Sequence, residues 1–248
     1  MALSHSPSLV LPGLVLCLDA ANPKSYPGSG TTWTDLSGNG NHVTLSGTTY
    51  NSSERLGCFD FDGTDDYAYS SSTVNNMTGL SGLSLFIWCK ADSGSPSRRY
   101  AYDGRGNKQS AETPGGPGLG FDAGYSDDKI FNFITAADNS YTEANSPDTF
   151  VRNQIYQLGL VREPNSNTHK VLDTDSKTLI TPSYAAPRMT ASASMKLGPF
   201  VIGTYASSSP GGNYWWNGQI YCVLGYNRAL TQAEVSQNFN ALRGRFGI

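Results

Sequence analysis

The sequence predicts an all-β sandwich that ends in one short α-helix. Three observations lead there. The 248 residues include 27 Gly, 13 Pro and 14 Tyr, which suits short strands joined by many turns and does not suit a helical bundle. Apolar or alternating runs of strand length recur along the chain, about a dozen in all, at the spacing of a sandwich. Only the last stretch reads as a helix, and its start is written into the residues. Thr231 caps, and Glu234 three residues on reaches back, which makes a capping box. Leu230 and Val235 occupy the two positions of a hydrophobic staple. Val235, Phe239 and Leu242 then recur at helical spacing, and Gly244 follows as a stop signal.

The elements follow in order. Residues 1–12 read as an extended arm, and 13–248 as one domain, because no linker is long enough to divide the chain. Leu14, Leu16 and Leu18 alternate with Val15 and Cys17 in a first strand. Asn22 to Asn41 is a polar, Gly-rich loop. Strands at Cys58 to Phe61 and Tyr67 to Tyr69 flank the turn Asp62-Gly63-Thr64-Asp65. In Leu83 to Lys90 both faces are partly apolar, which predicts a central strand covered on both sides. Short strands are expected around Tyr100 and Leu119, then at Lys129 to Thr135 and Asn153 to Arg162. His169 to Asp173 and Lys177 to Thr181 read as a hairpin. Phe200 to Tyr205 and Gln219 to Tyr226 are the last strands, with Ile220, Cys222 and Leu224 as the apolar positions of the final one.

Charge excludes one class of partner. Charged residues are 15% of the chain, the net charge is −3, and no basic cluster exceeds Arg98-Arg99, so a nucleic-acid surface is not expected. The N-terminus carries no positive charge before its apolar stretch, which Pro12-Gly13 interrupts, so neither a signal peptide nor a membrane span is expected. Cys17, Cys58, Cys89 and Cys222 each lie in an apolar run without a Cys-x-x-Cys pair. They read as small buried hydrophobes with free thiols, with a structural disulfide as the alternative.

Several stretches carry a resemblance. Leu14 to Leu45, with Asp19-Ala-Ala-Asn-Pro-Lys-Ser-Tyr-Pro27 and Trp33-Thr-Asp-Leu-Ser-Gly-Asn-Gly-Asn-His42, resembles the opening of a concanavalin A-like jelly roll of the laminin G/pentraxin type. Phe59-Asp-Phe-Asp-Gly-Thr-Asp-Asp-Tyr67 and Leu83-Ser-Leu-Phe-Ile-Trp-Cys-Lys90 continue it, and Asn217 to Val235 closes it. The likeness covers roughly residues 13–246 and is weakest over about 92–150. It implies a concanavalin A-like jelly-roll β-sandwich with a short C-terminal α-helix and an extended N-terminal arm. It also implies that the final strand runs beside the first. Asn22-Pro-Lys-Ser-Tyr-Pro27 and the closing Phe239-Asn-Ala-Leu242 before Arg245-Phe-Gly are similar to modules of tailed-bacteriophage structural proteins, and the virion setting is implied by that likeness alone.

Candidate chemistry can be weighed residue by residue. Glycan hydrolysis, which this fold supports, needs two carboxylates about 5–9 Å apart across the scissile bond. The five glutamates are Glu54, Glu112, Glu143, Glu163 and Glu234, and none has a second acid two residues away. Glu234 belongs to the capping box, and Asp173 and Asp175 fall at a hairpin turn, where Asp is favoured anyway. No nucleophile elbow accompanies His5, His42 and His169, which read as surface histidines. Calcium is the one cofactor that the acids suit. Asp60, Asp62, Asp65 and Asp66 crowd one turn and Asp19 ends the first strand, with Asp62 and Asp65 the preferred ligands. For glycan stacking the candidates are Trp33, Tyr100, Tyr214, Trp215 and Trp216, placed in or beside loops. Of the adjacent Trp215 and Trp216, one should point in and one out. Trp88 is expected in the core. In the arm, Leu9, Val10 and Leu11 are costly to leave in water and are candidates for docking on a partner.

The expectation for function is a non-enzymatic virion structural protein. It would serve as capsid decoration or cement, knob or appendage tip, assembled in the host cytoplasm and displayed on the particle surface. Its partners would be capsid or appendage protein, or further copies of itself. The alternative is a carbohydrate-binding lectin module for host-surface glycans, and a glycoside hydrolase is third, disfavoured by the missing acid pair.

Overall fold

The computed structural model of the chain describes residues 7–92, 99–106, 115–122, 129–182, 189–206 and 214–248. His5, Glu112, Arg98 and the first six residues of the arm lie outside the described residues. In chain order the strands are β1 (Leu14–Asp19), β2 (Thr32–Trp33), β3 (Val43–Ser46), β4 (Thr49–Asn51), β5 (Cys58–Asp62), β6 (Tyr67–Ser70), β7 (Leu83–Ala91) and β8 (Arg99–Asp103). They continue as β9 (Pro117–Asp122), β10 (Lys129–Thr135), β11 (Tyr141–Thr149), β12 (Ile155–Arg162), β13 (Lys170–Leu172), β14 (Leu179–Ile180), β15 (Val201–Ile202) and β16 (Asn217–Tyr226), and α1 (Gln232–Phe246) closes the chain. β2, β3, β4 and β11 were not expected from the sequence, and β2 falls inside the stretch Asn22 to Asn41 that reads as a loop. Among the described residues the chain is mostly β, with one helix and two antiparallel sheets.

The first sheet runs β14-β13-β12-β7-β16-β5-β4, and the second runs β11-β10-β9-β8-β15-β6-β3-β2. β16 is the organiser of the first. It pairs with β7 along one side, while β5 and β1 share its other side end to end. Cys17 opposes Leu224 and Asp19 opposes Cys222, so the two ends of the domain meet in one ladder. All four cysteines are buried free thiols, and burial, with the nearby Asp19 and Asp35 charges, pushes the Cys17 thiol up to about 12.

Alternation explains how the chain fills two layers. Leu83, Leu85, Ile87 and Cys89 of β7 face between the sheets, with Tyr156, Leu158 and Leu160 of β12 and Leu119, Phe121, Ile130 and Ile134 of the second sheet. Phe86 and Trp88 face the opposite way, into a second apolar layer. The covered central strand expected at Leu83 to Lys90 is therefore present. β16 departs from simple alternation. A register shift between Ile220 and Cys222 sends Ile220 between the sheets but Cys222 and Leu224 into the second layer.

Helix α1 covers that second layer. Trp88 stacks on Phe239 at 5.6 Å and on Phe246 at 4.3 Å between ring centroids, and Leu230 and Val235 are buried alongside. The Thr231 hydroxyl accepts from the Glu234 N–H, and the Glu234 carboxylate accepts from the Thr231 N–H at 2.9 Å. Arg228 donates to both Glu234 oxygens, at 3.0 and 2.5 Å. This ion pair, with the capping bonds, holds the Glu234 carboxyl down at about 2. The stop differs from the expectation. Gly244 lies inside the helix, and the left-handed cap is Gly247, with φ 71°.

The arm is fastened to its own domain. The Val10 N–H donates to Asn238 Oδ1 at 2.9 Å, and the Tyr226 hydroxyl donates to the Val10 carbonyl at 3.0 Å. Asn238 Nδ2 donates in turn to the Tyr226 oxygen at 3.0 Å. Val10 is 5% exposed and Leu9 packs on the same cluster. As candidates for a partner these two are corrected, because α1 and Tyr226 already shelter them. Leu11, 71% exposed, remains free for one. Among the described residues, no helix is long and apolar enough to cross a membrane.

His169 is a second correction, since it is not on the surface. The Val161–Lys170 pairing of β12 with β13 turns it inward, fully buried, with Nε2 2.5 Å from Asn132 Oδ1 of β10. Burial pushes its pKa down to about 3. The folded chain thus keeps His169 neutral, while the unfolded chain protonates it at about 6.5. The resulting stability is complete above that pH and is lost as pH falls toward 3. Denaturant unfolding should show wild type losing about 2 kcal/mol more than His169→Gln between pH 7 and 5. Equal losses would remove His169 from the account.

Candidate functional site

With α1 and the arm on the first sheet, the outer face of the second is left, buried across β8 to β10 and reaching solvent toward its β6 end. Its register builds two rows. Tyr69, Val201, Asp103, Gly118, Phe133 and Glu143 are successive cross-strand partners from β6 to β11. Tyr100, Gly120, Phe131 and Asn145 form the next row. Tyr100, Phe131 and Phe133 make an apolar cluster separate from the core, with Tyr205 and Tyr214 packed against it.

Two glycines make this arrangement possible. A Cβ on Gly118 would lie 2.0 Å from the Phe133 ring, and one on Gly120 would lie 1.9 Å from the Arg99 carbonyl oxygen and 2.6 Å from the Phe131 ring. β9 is therefore a bare trough that the two rings cross, a close approach that only glycine permits. Arg105 is held above it. Its Nε and Nη2 donate to the two oxygens of buried Asp103 at 3.0 and 2.7 Å, and its guanidinium carbon sits 4.3 Å from the Phe133 ring centroid and 4.8 Å from that of Tyr205.

Toward β6 the face becomes more open. Tyr67, Tyr69, Tyr205, Tyr214 and Trp215 are half-buried. Tyr67 lies 5.7 Å from Tyr69 and 6.1 Å from Trp215 between ring centroids, and Tyr214 meets Tyr100 edge-on at 5.8 Å. This is a run of aromatic faces with part of each ring in water.

The five glycan candidates divide accordingly. Tyr214 and Trp215 belong to the open run. Trp216 points inward, is fully buried and stacks on Phe121 at 5.2 Å, so the in-and-out expectation for the pair holds and Trp216 is corrected as a ligand contact. Trp33 is corrected for the same reason: it is fully buried, 4.8 Å from the Phe59 ring. Tyr100 is buried beneath Phe131, Phe133, Tyr205 and Tyr214 and supports the face from below. Sequence reading missed Tyr67, Tyr69 and Tyr205. The signal for the first two was Tyr67-Ala-Tyr-Ser70, where aromatic residues alternate with small ones on one strand.

An acidic turn adjoins the open end. Ligand atoms of Asp62, Asp65 and Asp66 all lie within 4.8 Å of one another. Asp62 Oδ1 accepts from the Thr64 and Asp65 N–H groups, and Asp66 Oδ2 accepts from the Asp62 N–H. Burial raises the Asp66 pKa, with the neighbouring Asp62 and Asp65 charges adding to it. Carboxylates from one turn are the hard oxygen donors that calcium takes, so the donor set fits that ion. Asp60 and Asp19 stand apart from it: Asp60 accepts from Gln219 and Asn51, and Asp19 pairs with Arg245 at 2.5 Å.

Comparison with known proteins agrees with this architecture. A mutant of Trypanosoma rangeli sialidase displaying trans-sialidase activity superposes with a TM-score of 0.63 at 18% identity, over 95% of this chain and 34% of that one. The binding domain of botulinum neurotoxin DC, in complex with SialylT, gives a TM-score of 0.61 at 12% identity over 94% and 52%. The binding domain of Paraclostridial Mosquitocidal Protein 1 gives 0.65 at 11% over 92% and 52%. The chain thus spans about a third to a half of the length of these structures. At such identities the likeness is one of fold. A search of curated protein sequences finds no match. The sequence pattern of the concanavalin A-like lectin/glucanases superfamily, in its laminin G form, matches residues 62–236, well over half of the chain. The protein belongs to the concanavalin A-like lectin/glucanase superfamily.

Proposed function

We propose that this protein is a non-catalytic carbohydrate-binding module that takes its glycan on the outer face of the second sheet. The observation that carries this reading is the run of half-buried rings at Tyr67, Tyr69, Trp215 and Tyr214. Sugars place C–H groups on such ring faces, and a pre-formed surface loses little entropy in receiving them. The acids of this face do not suit hydrolysis. Asp103 and Glu143 stand three strands apart in one row, about 14 Å at the usual strand spacing, beyond the reach of a glycosidase pair. Asp103 is also engaged by Arg105.

Calcium belongs to this proposal as a fastening for the turn before Tyr67. Asp62, Asp65 and Asp66 would hold it, and the ion would fix the segment from which the aromatic strand starts.

The likeness of Asn22 to Pro27 and of the closing helix to tailed-phage modules makes a virion surface the proposed setting. There the module would stand on capsid or appendage protein, or on further copies of itself, and present its aromatic face to host glycans. Display fits the arm better than cement does, because Leu9 and Val10 are spent on the module's own helix and leave Leu11 for a neighbour.

Trp215→Ala should weaken glycan binding about tenfold or more in titration calorimetry with an array-identified glycan, without moving the melting temperature. Trp216→Ala should instead destabilise the fold by about 3–5 kcal/mol. Undiminished binding by folded Trp215→Ala would refute the assignment. In protein loaded with calcium, a chelator should lower the melting temperature, and Asp62→Asn with Asp65→Asn should abolish that response. An unchanged melting temperature would sink the calcium site.

A further inference from the structure

The open aromatic run continues past β6 onto β3 and β2. Register sets Thr44 beside Tyr69, Thr32 beside Thr44, and Ser46 beside Tyr67. Alternation puts all of these on the outer face, because their chain neighbours Trp33, Val43, Leu45 and Ala68 belong to the core between the sheets. Trp215 extends the second row at its other end, 6.1 Å from Tyr67 between ring centroids. Two rows result, Thr32-Thr44-Tyr69 and Ser46-Tyr67-Trp215, with rings toward one end and hydroxyls toward the edge of the sheet. Thr32 and Thr44 are exposed and Ser46 is half-buried.

The hydroxyls of these rows are not spent on the fold. In the loop before β3 such groups tie the chain to itself: Ser25 donates to the Thr34 carbonyl at 2.6 Å and Ser37 to Asp35 at 2.7 Å. Among the described residues, the side chains of Thr32, Thr44 and Ser46 have no protein partner. From β6 to β2 the rows cover about 10 Å at the usual strand spacing, and Trp215 lies beyond, so the surface is wider than one sugar ring. β2 ends the sheet among the described residues, which leaves the rows open on that side. None of these side chains is charged. The acidic turn borders them, since a Cβ on Gly47, next to Ser46, would lie 2.0 Å from Asp66 Oδ1. The carboxylates of Asp62, Asp65 and Asp66 outnumber the two charges of a calcium ion, so this border is negative with the ion or without it.

We infer that the ligand is an internal stretch of a neutral polysaccharide laid across β6, β3 and β2, with successive sugars stacked on Trp215, Tyr67 and Tyr69 and hydrogen-bonded to Thr44, Ser46 and Thr32. This rests on the glycan reading above and names its ligand class and the residues that select it. Aromatic faces take the C–H side of a sugar. The hydroxyls beside them take its polar rim, each worth about two- to tenfold in affinity. Rows that are open at the sheet edge let the chain run on past them, and the negative border disfavours anionic chains.

The test is calorimetry with neutral glucan, mannan, galactan and xylan oligomers, from monosaccharide to hexasaccharide, and with carboxylated and sulfated polysaccharides beside them. Wild type is compared with Trp215→Ala and with Thr44→Val combined with Ser46→Ala, surface changes whose folding the melting temperature checks. At least one neutral series should gain about tenfold or more in affinity from disaccharide to hexasaccharide. The Thr44→Val, Ser46→Ala protein should lose about that gain and keep the disaccharide affinity, whereas Trp215→Ala should weaken both. Affinity that does not depend on chain length, hexasaccharide binding untouched by the double change, or a preference for the acidic polymers overturns this inference. In each of those cases binding that still falls in Trp215→Ala leaves the glycan reading standing. No binding to any probe overturns both.

Discussion

The stack of Trp88 between Phe239 and Phe246 is the contact on which the arrangement depends. A sheet in the middle of a sandwich has two faces, and apolar residues on both need cover. β7 carries large apolar side chains on each side, so the outer face of the first sheet needs a lid. Helix α1 is that lid. It is short for independent stability, and what holds it is this apolar contact with the capping box and the Arg228–Glu234 pair at its start. The arm then closes over the joint through Val10, Asn238 and Tyr226, which tie both chain ends to the central strand β16.

Once the first sheet is closed, the proposed binding role falls to the second. Its outer face is built differently. Glycines at 118 and 120 let Phe133 and Phe131 lie across β9, and the buried Asp103 fixes Arg105 above them. That rigid, ring-paved half supports the open half at Tyr67, Tyr69, Tyr214 and Trp215. Rigid aromatic side chains lose little rotamer freedom on contact, which is how a shallow surface gains affinity without a deep pocket. The acidic turn of Asp62, Asp65 and Asp66 adjoins that open end.

Much of this was legible in the residues where the cause is local. The capping box is a matter of four consecutive positions, and it reads directly from Thr231 and Glu234. β7 reads directly because alternation within one strand decides which side chains share a face. Gly244 misled because a glycine is tolerated within a helix, and only the backbone beyond it shows that Gly247 turns left-handed. The shift in β16 was hidden because bulges depend on the partner strand, here the switch from β5 to β1 along one edge. Trp33 and His169 were misread for one reason: a residue beside a turn can face either layer, and the pairing of distant strands decides which. Tyr67 and Tyr69 carried a readable pattern, but its meaning needed the knowledge that β6 lies in the sheet whose outer face stays open.

The four tryptophans provide the most direct measurement of the central claim, that the second sheet's outer face is the binding surface while the first sheet is sealed. Trp33, Trp88 and Trp216 are fully buried and Trp215 is half-buried. Acrylamide quenching of tryptophan fluorescence should therefore show one accessible component, which disappears in Trp215→Phe and is shielded in wild type by a bound glycan. An accessible component that survives Trp215→Phe, or that a saturating glycan leaves unshielded, would contradict the account.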